Sequence, residues 1–241
     1  SASTSEWNLS VAGQTQASPF GGKLVLMSER DGNNNRAANF NFVDGTMFSG
    51  AEVQIKNGTD VTNYTLTNTL KLKAASVTIG GLSDAAAGMV TDKRKWSVAN
   101  DTDQGSATLT LNGSDTYTSD IKLEGGVNLA MNGEGKQTFS GDMSAFNGSL
   151  TVNNGTLAIT GNNGISAAYI ASDTSDGTLD VTGVLTVTGA EAGMADFTGS
   201  LKVGGLHVDG GFNQINGIDR LGESIQVNNG YLLLGIGLIL T

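Results

Sequence analysis

The chain has 241 residues, a net charge of −10 at pH 7, no cysteine, 35 glycines and a single proline. The acidic balance argues against a nucleic-acid partner, because phosphate binding needs clustered Lys and Arg, and the lack of Cys excludes disulfides and thiol chemistry. Charged residues make up only 15%, and the Ser, Thr and Asn that fill the polar remainder favour short strands with Gly/Asn turns over helices.

The N-terminal 45 residues fit the later sequence pattern poorly. We therefore predict an N-terminal capping segment over residues 1–45 and a repeat region over residues 46–241. A cap is expected because the open end of a stack of strands exposes both backbone edges and core. A first, loose copy of the repeat follows at Phe48–Ile55.

A long insertion at residues 83–105 separates two strand patterns of the repeat region. It holds the one basic cluster, Lys93, Arg94 and Lys95, followed directly by Trp96. Long loops that interrupt a regular scaffold often carry function, and an exposed indole beside cations could stack on a sugar. We predict a binding site at these four residues, with a plain solvated loop as the alternative.

The clearest internal repeat joins two segments, Met143–Val152 and Met194–Val203, in which Met, Phe, Gly, Ser, Leu and Val recur at the same positions. Apolar residues alternate within each copy, as in strands with one buried face. The repeat predicts a stacked parallel β-helix (a solenoid) of about 25 residues per coil. An antiparallel β-sandwich with Asn-Gly hairpin turns is the alternative.

The C-terminal run Tyr231–Thr241 is apolar throughout. It is too short for a transmembrane helix, which needs about 20 apolar residues. We predict that it forms one or two buried strands, and we predict no transmembrane segment in this chain. The end of the run without a terminating element suggests a fragment of a longer protein.

Two further segments carry a family resemblance. In Ala75–Met131 a strand is followed by Gly-Gly-Leu, Leu-Thr-Leu-x-Gly and a Thr-Tyr-Thr step, and Lys136–Gly161 contains the second match. These segments resemble the autotransporter-associated β-strand repeat of bacterial surface proteins. The resemblance implies a right-handed parallel β-helix, exported and displayed outside the cell. Passengers of this kind serve as stalks, adhesins or scaffolds, and some carry enzymes.

Few residue types in the chain suit catalysis. His207 is the only His and is predicted to face solvent from a strand, which argues against a Ser-His-Asp triad and a zinc site. Two similar stretches, VDGT at Asp44 and SDGT at Asp176, offer a carboxylate pair of the aspartic-peptidase type. Their Asp-Gly-Thr order departs from the Asp-Thr-Gly pattern of those enzymes, and turn residues are the alternative.

No metal site is predicted, although three oxygen-rich loops leave weak Ca2+ binding open: Arg30–Asn35, Asn100–Ser106 and Ser172–Thr178. None of them keeps the EF-hand spacing.

Together these observations favour a structural or adhesive surface module that is secreted or displayed on a bacterial cell and binds a host mucin or other extracellular glycoprotein. The alternatives are a secreted aspartic-type peptidase that degrades mucin-like glycoproteins and a glycan-active hydrolase with two carboxylates. Whether the chain is an enzyme, and its oligomeric state, stay open from sequence.

Overall fold

The computed structural model of the protein describes residues 3–10, 19–28, 35–58, 65–161, 164–189 and 194–235. In these ranges the chain forms strands and turns and no helix, so none is present there that could cross a membrane. The prediction of an all-β fold is confirmed. The strands are, in chain order, β1 (Ser3–Asn8), β2 (Lys23–Ser28), β3 (Arg36–Phe42), β4 (Glu52–Asn57), β5 (Leu66–Leu72), β6 (Ser76–Ile79), β7 (Gly81–Asp84), β8 (Arg94–Asn100), β9 (Ala107–Leu111), β10 (Thr116–Ser119), β11 (Lys122–Leu123), β12 (Val127–Met131), β13 (Lys136–Phe139), β14 (Leu150–Val152), β15 (Thr156–Ile159), β16 (Gly164–Ala167), β17 (Ile170–Ala171), β18 (Thr178–Val187), β19 (Met194–Phe197), β20 (Ser200–Val208), β21 (Phe212–Ile215), β22 (Ile218–Leu221), β23 (Ile225–Val227) and β24 (Tyr231–Leu234).

Every strand pairing among the described residues is parallel. The antiparallel sandwich does not fit these pairings. The strands form five sheets: sheet 1 is β1-β3-β5-β8-β11, sheet 2 is β2-β4-β7, sheet 3 is β6-β9-β12-β14-β17, sheet 4 is β10-β13-β15-β18-β20-β22 with β16 on β18 and β23 on β20, and sheet 5 is β19-β21-β24.

Within each sheet the strands succeed one another in chain order, so each sheet grows in one direction. The spacing between paired residues is 22 residues from Thr156 to Thr178 and again from Thr178 to Ser200. It is 30 residues from Arg36 to Leu66, nearer the N-terminus. The expected spacing of about 25 residues lies between these values and is found from Ser97 to Lys122; it varies because the loops between strands are longer in the N-terminal part.

The two repeat copies do not occupy equivalent places. The strand of the first copy, Leu150–Val152, lies in sheet 3, whereas the matching residues of the second copy, Leu201–Val203, lie in β20 of sheet 4. The two copies therefore belong to different sheets. Their likeness reflects a common need for two inward-facing aliphatic side chains rather than a common sheet.

One apolar core runs through the stack, built by the predicted alternation. Leu157, Leu179 and Leu201 stand beside one another on β15, β18 and β20, and each is fully buried. Burying a leucine side chain contributes about 1.5–3 kcal/mol. Because each added strand buries further aliphatic side chains, short strands that would be unstable alone become stable in the stack.

The Asn-Asn-Gly corners adopt the left-handed backbone expected of them. Gly155, which ends the first corner, has φ of 58°, and Gly230, which ends the second, has φ of 91°. L-residues avoid this region because of their Cβ atom. These two glycines therefore form tight turns that other residues would adopt only with strain.

The predicted cap and the predicted insertion both contain ordinary strands. β1 and β3, within residues 1–45, pair with each other, and β3 pairs with β5 in the repeat region. β8, within residues 83–105, lies between β5 and β11 in sheet 1. Whether residues 1–45 function as a cap stays a prediction.

The C-terminal run is only partly as expected. Residues Tyr231–Leu234 form β24, which confirms a strand, but Tyr231 is 73% exposed and Leu233 is 51% exposed. The expectation of burial is wrong for these two residues, because they lie on the outer face of sheet 5, beside the exposed Phe212 and the half-buried Gln214. Residues 236–241 lie outside the described part.

Candidate functional site

Two carboxylates meet where sheet 2 adjoins sheet 4. Asp84 is the last residue of β7, and Asp120 directly follows β10. The Ser119 hydroxyl donates a hydrogen bond to Asp84 Oδ1 at 2.6 Å, and the Asp120 backbone N–H donates to Asp84 Oδ2 at 2.7 Å. These two bonds hold the Asp84 side chain against the end of β10.

A backbone group of the predicted insertion, residues 83–105, holds the Asp120 carboxylate in place. The backbone N–H of Val90 donates to Asp120 Oδ2 at 2.9 Å. Asp120 Oδ1 is buried and accepts no hydrogen bond from an N–H or hydroxyl group of the described residues. A carboxylate oxygen is an acceptor only, so a proton on the Asp84 carboxyl is the donor that suits it.

A buried glutamine brings the two sheets together at this point. Gln137 on β13 accepts a hydrogen bond from the Leu82 N–H at 2.9 Å and donates one to the Leu82 carbonyl at 2.9 Å. The amide thus takes the place of a neighbouring strand for the middle of β7. A buried amide without these partners would cost free energy, so the bridge fixes β7, and with it Asp84, beside sheet 4.

Burial raises the pKa of the Asp84 carboxyl from 3.8 to about 7. This value is the net result of several causes, of which burial is the largest: the charge of Asp120 and a side-chain hydrogen bond with it also raise the pKa, while the Ser119 hydroxyl and the Asp120 N–H lower it. Two neighbouring carboxylates resist double ionisation. Near neutral pH, Asp84 can therefore carry a proton beside an ionised Asp120, which is the arrangement of an acid with a base.

The pair opens to solvent through two adjoining clefts. A cleft of about 450 Å³ is lined by Asp84, Asp120, Ser140 and the 86–88 loop. A second cleft of about 440 Å³ shares Asp120 and Ser140 and adds Lys95 and the Lys122–Asp142 ion pair, whose atoms are 3.1 Å apart. Both volumes fall in the range of small-molecule sites.

The four residues of the predicted basic site, Lys93–Trp96, do not form one exposed patch. Lys93 and Lys95 are exposed and Arg94 is half-buried, but Trp96 is fully buried. The indole stacks on Phe40 with ring centroids 5.8 Å apart and donates its N–H to Asn57 at 2.8 Å. The prediction of Trp96 as a binding residue is therefore wrong, because its ring is a core side chain.

The predicted carboxylate pair is not assembled. Asp44 Oδ1 caps its own turn by accepting the backbone N–H groups of Thr46 and Met47 at 2.9 and 3.0 Å, and Asp176 is exposed in the turn before β18. Asp44 lies beside the first strand of sheet 3, and Asp176 lies beyond the fourth. At about 4.8 Å per strand their separation is on the order of 20 Å, so a dyad of these two residues is excluded.

The other predicted site residues that the structure describes do not form a second candidate site. His207 points away from the core between buried Leu206 and Val208, as predicted. Among the described residues no group of three or more His, Cys, Asp or Glu side chains could hold a metal ion. In the loop Asn100–Ser106, the Asn100 side chain accepts both the N–H and the hydroxyl of Thr102. Most of Arg30–Asn35 lies outside the described residues, and Ca2+ binding stays untested.

Sequence reasoning missed Asp84 and Asp120. Both follow a serine, but Ser-Asp also occurs at Ser114, Ser172 and Ser175, so this pair of residues does not single them out. Asp84 and Lys95 do belong to the predicted functional insertion, residues 83–105.

Comparison of the chain with protein-family models, with curated proteins and with solved structures found no match.

Proposed function

We propose that this chain is a structural and adhesive module of a bacterial surface protein, built as a right-handed parallel β-helix, and that it binds an extracellular glycoprotein such as a mucin. The family-like repeat and the one-directional growth of five parallel sheets support this architecture. In a β-helix each turn of the chain adds one strand to every sheet. Paired residues are then separated by the length of one turn, as in the spacings of 22 and 30 residues found here.

The observation that carries the adhesive role is a polar ladder on the outer face of sheet 3. Thr78 lies beside Thr110, and Ser76 lies beside Thr108, which lies beside Asn128. All five side chains point away from the core and reach solvent. Such a row offers hydroxyl and amide groups every 4.8 Å or so, which suits hydrogen bonding to the repeated hydroxyls of an extended glycan.

Binding to an immobilised mucin-type glycoprotein tests this role. The double variant Thr108→Val, Thr110→Val removes two hydroxyl groups and keeps the β-branched shape. A hydrogen bond contributes about 1 kcal/mol, so we expect binding to weaken by about 10- to 30-fold. Thr67→Val with Thr69→Val, on the outer face of sheet 1, is the matched control. Equal binding by both double variants would contradict a ladder site on sheet 3.

A second function, hydrolysis by two carboxylates, is favoured by the Asp84–Asp120 pair. In this proposal the protonated Asp84 donates to the leaving group, and the Asp120 carboxylate activates a water molecule. The clefts on either side of the pair leave room for a peptide or glycan. Asp84 and Asp120 then take the place of Asp44 and Asp176 in the aspartic-type peptidase hypothesis, and they supply the two carboxylates that the glycan-hydrolase hypothesis needs.

Mass spectrometry of a mucin-type glycoprotein incubated with the protein from pH 4 to 8 tests the hydrolase proposal. Asp84→Asn and Asp120→Asn should each abolish turnover, and Asp176→Asn should leave it unchanged. Absence of turnover in the unmodified protein, or equal turnover in all variants, would reject hydrolysis at this pair.

A further inference from the structure

The large apolar side chains exposed in the described residues gather at the two ends of the stack. Three of them lie on β1 and β2, and four lie on β21, β23 and β24; Val43 is the exception. The seven are Trp7, Val25, Met27, Phe212, Val227, Tyr231 and Leu233. Apolar patches concentrated in this way mark interaction surfaces.

The same two ends carry unpaired strand edges. Within the described ranges, the N-terminal strand β1 pairs only with β3, and β2 only with β4. Among the described strands at the C-terminal end, β22 and β23 pair only with β20, and β24 only with β21. An open edge presents backbone N–H and C=O groups that pair readily with another strand.

Strand direction decides which partner suits these edges. Because every described pairing is parallel and each sheet grows in chain order, the two ends are opposite faces of one stack. A second copy moved along the stack brings its β1 and β2 to the last strands of the first copy, with all strands still parallel. Two like ends facing each other would pair antiparallel, against the geometry of every other contact.

We propose that the chain stacks head to tail on a second copy of itself, with the C-terminal edge strands of one copy against β1 and β2 of the next. The N-terminal end also holds a cleft of about 600 Å³, lined by Trp7, Leu24, Leu26 and Phe40 among others. Apolar side chains of the opposite end fill this cleft. The contact is heterologous, so each added copy leaves a new open end and assembly continues beyond the dimer.

Sedimentation velocity of the 241-residue chain at about 1 to 500 µM tests the proposal. The N-end variant is Val25→Asp with Met27→Asp, and the C-end variant is Tyr231→Asp with Leu233→Asp. The control is Val43→Asp, at an exposed valine that follows β3 and lies outside the terminal strands themselves. Circular dichroism and the midpoint of thermal unfolding verify that each variant folds.

We expect the unmodified chain and the control to form a concentration-dependent series of oligomers, and each end variant alone to stay monomeric. An equimolar mixture of the two end variants should give a dimer and nothing larger, because one open N-terminal end then meets one open C-terminal end. A monomeric unmodified chain at 500 µM, dimers of a single end variant, or loss of assembly in Val43→Asp would overturn the proposal.

Discussion

The Asp84 carboxyl should make the free energy of unfolding fall as pH rises from about 4 to 7. Its pKa is raised from 3.8 to about 7 in the folded chain, so between these values the folded state binds more protons than the unfolded state. Stability is therefore highest at the acidic side of this window and is lost up to about pH 7. The full shift corresponds to about 4 kcal/mol, which solvent screening at the open cleft reduces to about 1–2 kcal/mol.

Urea unfolding at half-unit steps from pH 4 to 8 measures this loss, with Asp84→Asn as the comparison. The asparagine does not titrate and can donate its amide N–H to Asp120 Oδ1. We expect the free energy of unfolding of the variant to change about 1–2 kcal/mol less than that of the unmodified chain across the interval. Parallel curves for the two proteins would show that Asp84 is ionised throughout and would refute the shared proton.

Three other predictions concern the buried core, the turn at Gly155 and the burial of Trp96. Leu179→Ala, at a fully buried rung, should lower the free energy of unfolding by about 2–5 kcal/mol in urea titrations. Gly155→Ala should cost more than 1 kcal/mol or so by the same method, because φ is 58° and a Cβ would meet backbone oxygens of the preceding turn. Acrylamide should quench Trp7 fluorescence, from a 59% exposed ring, and leave that of buried Trp96 almost unchanged.

Each of these changes has its control. Lys202 lies on the outer face of β20, next to the strand β18 that carries Leu179. Lys202→Ala should change the free energy of unfolding by less than about 0.5 kcal/mol. Gly105→Ala has open space around its Cβ position and should be nearly neutral. Trp7→Phe leaves Trp96 as the only indole, and strong quenching of this variant would contradict the burial of Trp96.

Local patterns predicted the strands well because alternation is a property of a few neighbouring residues. Leu150, Val152, Leu201 and Val203 were expected to face the core, and all four are fully buried. Their assignment to sheets could not be predicted in the same way. It depends on the lengths of every loop between the strands, and these differ between the two halves of the chain.

The site was harder to predict than the fold for a related reason. Asp84 and Asp120 meet because Gln137 ties β7 to sheet 4, and nothing in the neighbouring sequence announces that contact. The basic residues before Trp96 suggested an exposed ring. The strand that carries Trp96 alternates, however, so its indole faces the core while Lys95 faces solvent.

The growth of each sheet in chain order has a consequence for how the molecule is made. A strand of this fold needs only the strand about 20 to 30 residues before it, as in the pairs Thr156–Thr178 and Arg36–Leu66. Closing loops of this length costs little more than closing shorter ones. A chain that emerges slowly from a ribosome, N-terminus first, can therefore add each strand to strands that are already paired. The rate of emergence, rather than a search among distant contacts, would then set the pace of folding.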